Sequence, residues 1–131
     1  MEGKEKYLLR LKDGRDEPIP GLKGASRVIL VDRERGGAED ITFGFSHYEP
    51  GTSIHKKHSH PNAEEIMYIL SGRGRAGMEE AEFEVEAGDT IWVPRGAVHW
   101  FHNPFAIPCE FVFLYTRPTL ESAGLQSAAT L

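Results

Sequence analysis

Hydrophobic and polar positions alternate along this chain in short runs. In "ITFGFSHY", Ile41, Phe43, Phe45 and His47 share one face, and Thr42, Gly44, Ser46 and Tyr48 share the other. That period of two predicts a half-buried strand. In "AEFEVE", Ala81, Phe83 and Val85 oppose Glu82, Glu84 and Glu86. Arg73 and Arg75, just upstream, can face those glutamates across a hairpin as solvated pairs. Further strands are expected at "KYLLRLK", "SRVILVD", "EEIMYIL", "TIWVPRG", "VHWFHN" and "CEFVFLYTRP". Segments rich in Gly, Pro and Asp, such as "DGRDEPIPGLKG" and "RERGGAED", separate them. No long stretch carries helical periodicity. Many short strands at even spacing predict an all-β sandwich or barrel, here one domain over residues 1–117. The small, polar stretch at 118–131 predicts a short helix or a disordered tail.

Composition narrows the picture. A chain of 131 residues fits one domain and can bury a real core. The net charge of −5, with signs mixed along the chain, argues against nucleic acid as a partner. No apolar run approaches the ~18 residues of a membrane span, and the N-terminal apolar stretch is too short for a secretory signal. The expected location is the cytoplasm. The lone Cys109 lies in an apolar run and is expected to be a small buried hydrophobe.

The stretch "HKKHSH" concentrates His55, His58 and His60 beside Lys56 and Lys57. It is either a solvated basic strip or half of a metal site. On a strand, His58 and His60 project from the same face, while His55 faces away. Pro61-Asn62 signals a turn, after which "AEEIMYILSG" can bring Glu64 or Glu65 back beside the pair. A type I turn at Val93-Pro94-Arg95-Gly96 would feed His99 onto a neighbouring strand. Three imidazoles and a carboxylate from adjacent strands suit a divalent transition metal.

At these residues the chain resembles the cupins. Their second motif, G-x5-P-x-G-x2-H-x3-N, is matched at every spacing by Gly88, Pro94, Gly96, His99 and Asn103. Five fixed positions coincide by chance at a given start with probability on the order of 10⁻⁶ or less. The first motif, G-x5-H-x-H-x3,4-E-x6-G, is followed by Gly51, His58, His60, Glu65 and Gly72, with one extra residue after Gly51. A β-bulge in "TSIHKK" would absorb it. Glu65 satisfies the spacing on both sides, whereas Glu64 satisfies only one.

The resemblance implies a cupin β-barrel (jelly roll, or double-stranded β-helix) with its motif core at 51–103. It implies metal ligands His58, His60, Glu65 and His99, holding one Mn, Fe, Ni or Zn ion per chain. A pocket of Phe43, Phe45, His47, Met67, Phe101, Phe111 and Phe113 is expected around the ion, with His47 alternatively a satisfied, hydrogen-bonded histidine. His102 and Trp100 point away from it, His102 into solvent and Trp100 toward an interface. The implied activity is metal-dependent oxidoreductase, decarboxylase or lyase chemistry on a small oxygen-rich molecule. The alternative is a non-catalytic binding or sensing cupin. A homodimer is expected, paired through barrel faces and "KYLLRLK". A strongly anionic ligand fits this reading less well, because few basic residues lie near the motifs.

Overall fold

The computed structural model describes residues 6–52 and 56–127. Its strands are β1 (Arg15–Asp16), β2 (Ala25–Val31), β3 (Thr42–Tyr48), β4 (His58–Ser59), β5 (Glu65–Ser71), β6 (Arg73–Met78), β7 (Ala81–Glu86), β8 (Thr90–Val93), β9 (His99–His102), β10 (Cys109–Tyr115) and β11 (Gln126–Ser127). One α-helix, α1 (Leu120–Ala123), precedes the last strand. Two antiparallel sheets face each other, ordered β1-β2-β3-β10-β5-β8 and β11-β4-β9-β6-β7. The expected all-β architecture is the one formed. The core lies between the sheets, where Ile29, Ile69, Val93, Cys109, Phe111 and Phe113 are buried.

The alternation in β3 is as expected, but its inward face is the smaller one. Thr42, Gly44, Ser46 and Tyr48 are buried, while Phe43, Phe45 and His47 lie half-buried on the outer face. The reason is spatial. Phe113, opposite Gly44 in the ladder, turns its ring inward, and a Cβ on Gly44 would fall 2.3 Å from that ring. The large side chains of β3 must therefore point out. There, Phe45 and Phe43 join Val112 and Leu114 of β10 and Tyr68 and Ile66 of β5 in two cross-strand rows. Trp92 of β8 extends the second row and is 60% exposed.

Three further expectations change. "KYLLRLK" is not a strand. Residues 6–7 and 11–13 form 3-10 turns, with Leu8 and Leu11 exposed. Arg10 O and Leu11 O accept from Asp13 N–H and Gly14 N–H, so these carbonyls serve turns and not a sheet ladder. Trp100 is buried rather than presented to an interface. Its indole lies across Gly77 of β6, where a Cβ would meet the ring at 1.7 Å. Lys57 Nζ covers the indole at 4.3 Å from its centroid, and Trp100 Nε1 donates to Glu82 at 2.7 Å. His102, expected in solvent, is partly buried and meets the same carboxylate at 3.4 Å. The β6–β7 hairpin carries the anticipated charge pairs, Arg73 to Glu84 and Arg75 to Glu82.

The motif glycines Gly51, Gly72, Gly88 and Gly96 all have positive φ. Gly72 is the most constrained. Its φ is +80°, and a Cβ there would fall 2.0 Å from Pro108 O. Gly72→Ala combines left-handed strain with a backbone clash. It should destabilise the fold by about 2 kcal/mol or more, read as a lower urea midpoint at unchanged slope.

Candidate metal centre

His58 stands on β4, paired directly with His99 on β9. His60 follows just beyond β4, and Glu65 opens β5. Each imidazole is fixed by a backbone carbonyl. His58 Nδ1 donates to Lys56 O (2.6 Å), His60 Nδ1 to Gly124 O (2.7 Å) and His99 Nδ1 to Ala97 O (3.0 Å). Such second bonds set tautomer and ring direction, leaving Nε2 as the donor atom. The three histidines are buried and offer ring nitrogens within 4.8 Å of one another. Glu65 Oε1 lies 3.1 Å from His99 Nε2 and 3.5 Å from His60 Nε2.

Two details of the cluster suit a cation between its rings. His60 Nε2 is buried without a hydrogen-bond partner, a condition that costs free energy unless something fills it. His99 Nε2 faces a carboxylate while its Nδ1 proton is already committed. Two lone pairs would then confront each other unless the ring is an imidazolium or a cation lies between them. Burial is the largest influence on His99 and opposes its charge. The hydrogen bond and attraction of Glu65 outweigh burial, so the His99 pKa is raised. Burial likewise pushes the Glu65 carboxyl up, but the surrounding imidazoles bring it below the ordinary value, so it is ionised. Burial lowers the His60 pKa and keeps that ring neutral. Three imidazoles and one carboxylate thus fit a borderline divalent ion.

The C-terminal segment completes this end of the barrel. The Thr119 hydroxyl accepts from Ser122 N–H in a reciprocal capping box that starts α1. β11 then pairs with β4, and Asn62 N–H donates to Ala123 O. Of the two outcomes expected for the tail, its described part takes the ordered one.

Two cavities meet at the histidines. An inner one of about 40 Å³ is reached by Ser46, Tyr48, His58, Glu65 and His99 and floored by Met67, Phe101, Phe111 and Phe113. Tyr48, Phe101 and Phe111 pack as an aromatic cluster there, with centroids 5.0–5.5 Å apart. An outer cavity of about 260 Å³ is bounded by His60, Tyr115, Leu120, Gly124 and Leu125. Of the expected pocket residues, Met67, Phe101, Phe111 and Phe113 line the inner cavity. Phe43, Phe45 and His47 lie on the far side of the sheet. His47 bonds Glu110 at 2.7 Å and Glu49 at 2.9 Å. Glu64 accepts from Trp92 Nε1 at the surface. His55, with the rest of residues 53–55 in the bulge region, lies outside the described residues.

The turn before His99 is shifted by one residue. Ala97 N–H bonds Pro94 O, so Gly96, with φ of +79°, occupies the third position. Sequence reasoning passed over Arg27, Tyr48 and Tyr115, which all line the inner cavity. The alternation in "SRVILVD", with Arg27 on the face of buried Ile29, carried the signal for the first.

The chain matches the model of the cupin domain family over residues 44–115, more than half its length. It is 40% identical over 55 residues to an uncharacterized protein of Methanocaldococcus jannaschii, covering 42% of this chain and 44% of that protein. It is 30% identical over 109 residues to an oxalate decarboxylase of Arthroderma benhamiae, covering 79% of this chain and 25% of the relative. The chain therefore spans less than half the length of both curated relatives. The solved polyketide cyclase RemF from Streptomyces resistomycificus superposes with a TM-score of 0.77 at 22% identity, over 95% of this chain and 86% of that one. At that identity the likeness is one of fold.

The coupling between Glu65 and His99 is directly measurable. Glu65→Gln removes the charge that favours the imidazolium, so the His99 pKa should fall in metal-free protein. A ¹H–¹⁵N NMR titration of the ring nitrogens checks this.

Proposed function

This chain belongs to the cupin family, and from that premise we propose that His58, His60, Glu65 and His99 hold one divalent transition ion at which a small oxygen-rich molecule reacts. The observation that carries the reading is the set of three Nδ1-to-carbonyl bonds beside an ionised Glu65. Mn, Fe, Ni and Zn all suit this donor set. Such an ion supplies Lewis-acid polarisation of a bound oxygen and, when it is iron or manganese, a redox couple. The protein's own contribution is to orient and to exclude water. Glu65 offsets charge, Ser46 and Tyr48 on the cavity wall carry hydroxyls that can hydrogen-bond a ligand, and the aromatic floor limits the water that can enter. Four protein donors leave two coordination positions on an octahedral ion. The ligands that fit are therefore α-keto acids, hydroxy acids, enediols or catechols, and the reaction type is dioxygenase, decarboxylase or lyase.

One observation favours a second reading, a binding or sensing cupin without turnover. Beyond the four donors, no described side chain on the inner cavity titrates near neutrality. Burial pushes the Tyr48 and Tyr115 hydroxyls well above their ordinary values, so neither is a ready base. Saturable binding without product would select this alternative.

Among the described residues no helix is long and apolar enough to cross a membrane. Separately, we propose a cytoplasmic location. We also propose a homodimer that covers the outer face of the six-stranded sheet, where Ile66, Tyr68, Leu70 and Trp92 are exposed.

Two measurements test these readings. Elemental analysis after reconstitution should find about one ion per chain in the wild type and almost none in the His58→Ala/His99→Ala variant. Equal metal in both would remove the assignment. Light scattering should give a particle of twice the 14.6 kDa chain, and Ile66→Glu/Trp92→Glu should return it to one chain. A wild-type monomer at micromolar concentration would refute the dimer.

A further inference from the structure

Arg27 sits on β2 opposite Ser46 of β3, on the face that turns into the barrel. Its side chain lines the inner and the outer cavity alike, alongside His58 and Tyr115. Its charge acts on His60, Tyr48 and Tyr115. Two backbone carbonyls hold the guanidinium in place. Nε donates to Glu17 O at 3.1 Å and Nη2 to Pro18 O at 3.3 Å. Among the described residues it makes no ion pair with a carboxylate, and its Nη1 makes no hydrogen bond. In contrast, Arg15, Arg73 and Arg75 each pair with an acid. A half-buried cation on a cavity wall, held by dipoles alone and with hydrogen-bonding capacity to spare, is organised to receive an anion.

We propose that Arg27 is the specificity-determining anchor for a carboxylate on the ligand, so that the ligand is a small organic acid whose remaining oxygens reach the histidine cluster. This rests on the metal-chelating reading above and deepens it. It also reverses the expectation that anionic ligands fit poorly. The cation that shares both cavities with the histidines comes from a strand outside both motifs. Lys57 lies over Trp100, and Lys56 and Arg95 are exposed. The exposed Glu121 on the outer rim limits how much negative charge the cavity accepts. One free carboxylate beyond the chelating group is the charge the site balances.

The test uses matched probes on Co²⁺-loaded protein. These are 2-hydroxy diacids of increasing chain length and, for each, the monoamide with the distal carboxylate replaced by a carboxamide. Binding is followed by the cobalt absorption spectrum and, independently, by calorimetry. In the wild type the best diacid should bind about 10- to 100-fold more tightly than its monoamide. The preference should weaken with added salt. Arg27→Gln should reduce it to less than about threefold with metal content and monoamide affinity unchanged, and Arg27→Lys should fall between. A wild type without the preference overturns the proposal, and so does a folded Arg27→Gln protein that keeps it. The wild-type comparison stands even if a variant misfolds. A monoamide that perturbs the spectrum, with no gain from the diacid, sinks the anchor and leaves chelation intact. A diacid bound calorimetrically through Arg27 with a silent spectrum sinks chelation and leaves the anchor. No diacid binding by either readout overturns the anchor.

Discussion

Everything at this site depends on three backbone carbonyls that each hold one imidazole N–H. Free histidine interconverts its tautomers and rotates its ring, and neither choice favours a common centre. Here the carbonyls of Lys56, Ala97 and Gly124 make both choices for all three rings. Two of them lie two residues before the histidine they hold, so the chain leading into β4 and β9 sets them locally. The third comes from the far end of the chain. The cluster is therefore a property of the fold's backbone, and side chains around it can vary without losing the arrangement.

The barrel that carries these carbonyls is shaped by where large rings meet missing ones. Phe113 over Gly44 and Trp100 over Gly77 fix which face of β3 and β9 can be crowded. The first contact opens the inside of β3 to Ser46 and Tyr48, whose hydroxyls then reach the cavity. It also sends Phe43 and Phe45 outward, where they add to an apolar sheet surface. One local packing choice thus sets both the polarity of the pocket and the stickiness of the exterior.

Much of this was legible in the sequence. Alternation identified most of the strands, and the spacing of Gly88, Pro94, Gly96, His99 and Asn103 singled out the family. What alternation cannot say is which of two faces is inside when both carry plausible core residues. β3 offered two phenylalanines against Thr, Gly and Ser, and size alone pointed the wrong way. The deciding partner, Phe113, is far off in sequence and meets Gly44 only through the β3–β10 ladder. Arg27 was hidden for the same reason, since only the β2–β3 register brings it to the cavity. "KYLLRLK" read as a strand because its residues suit one, yet strands need a neighbour to share bonds with. The pairing of β11 with β4 left no mark in a stretch of small polar residues, because its bonds are made by backbone.

The carbonyl of Gly124 has a consequence in time. Translation runs from the N-terminus, and domains begin to organise as they emerge. His58, His60, Glu65 and His99 all leave the ribosome before Gly124 does. Until that residue arrives, β4 lacks its β11 neighbour and the His60 ring has no fixed proton. The nascent barrel can close around its hydrophobic core while one corner of the histidine cluster is still unset. Ordering of the cluster is thereby tied to the late arrival of the C-terminal segment, and a half-made chain carries all four side chains with one imidazole not yet held.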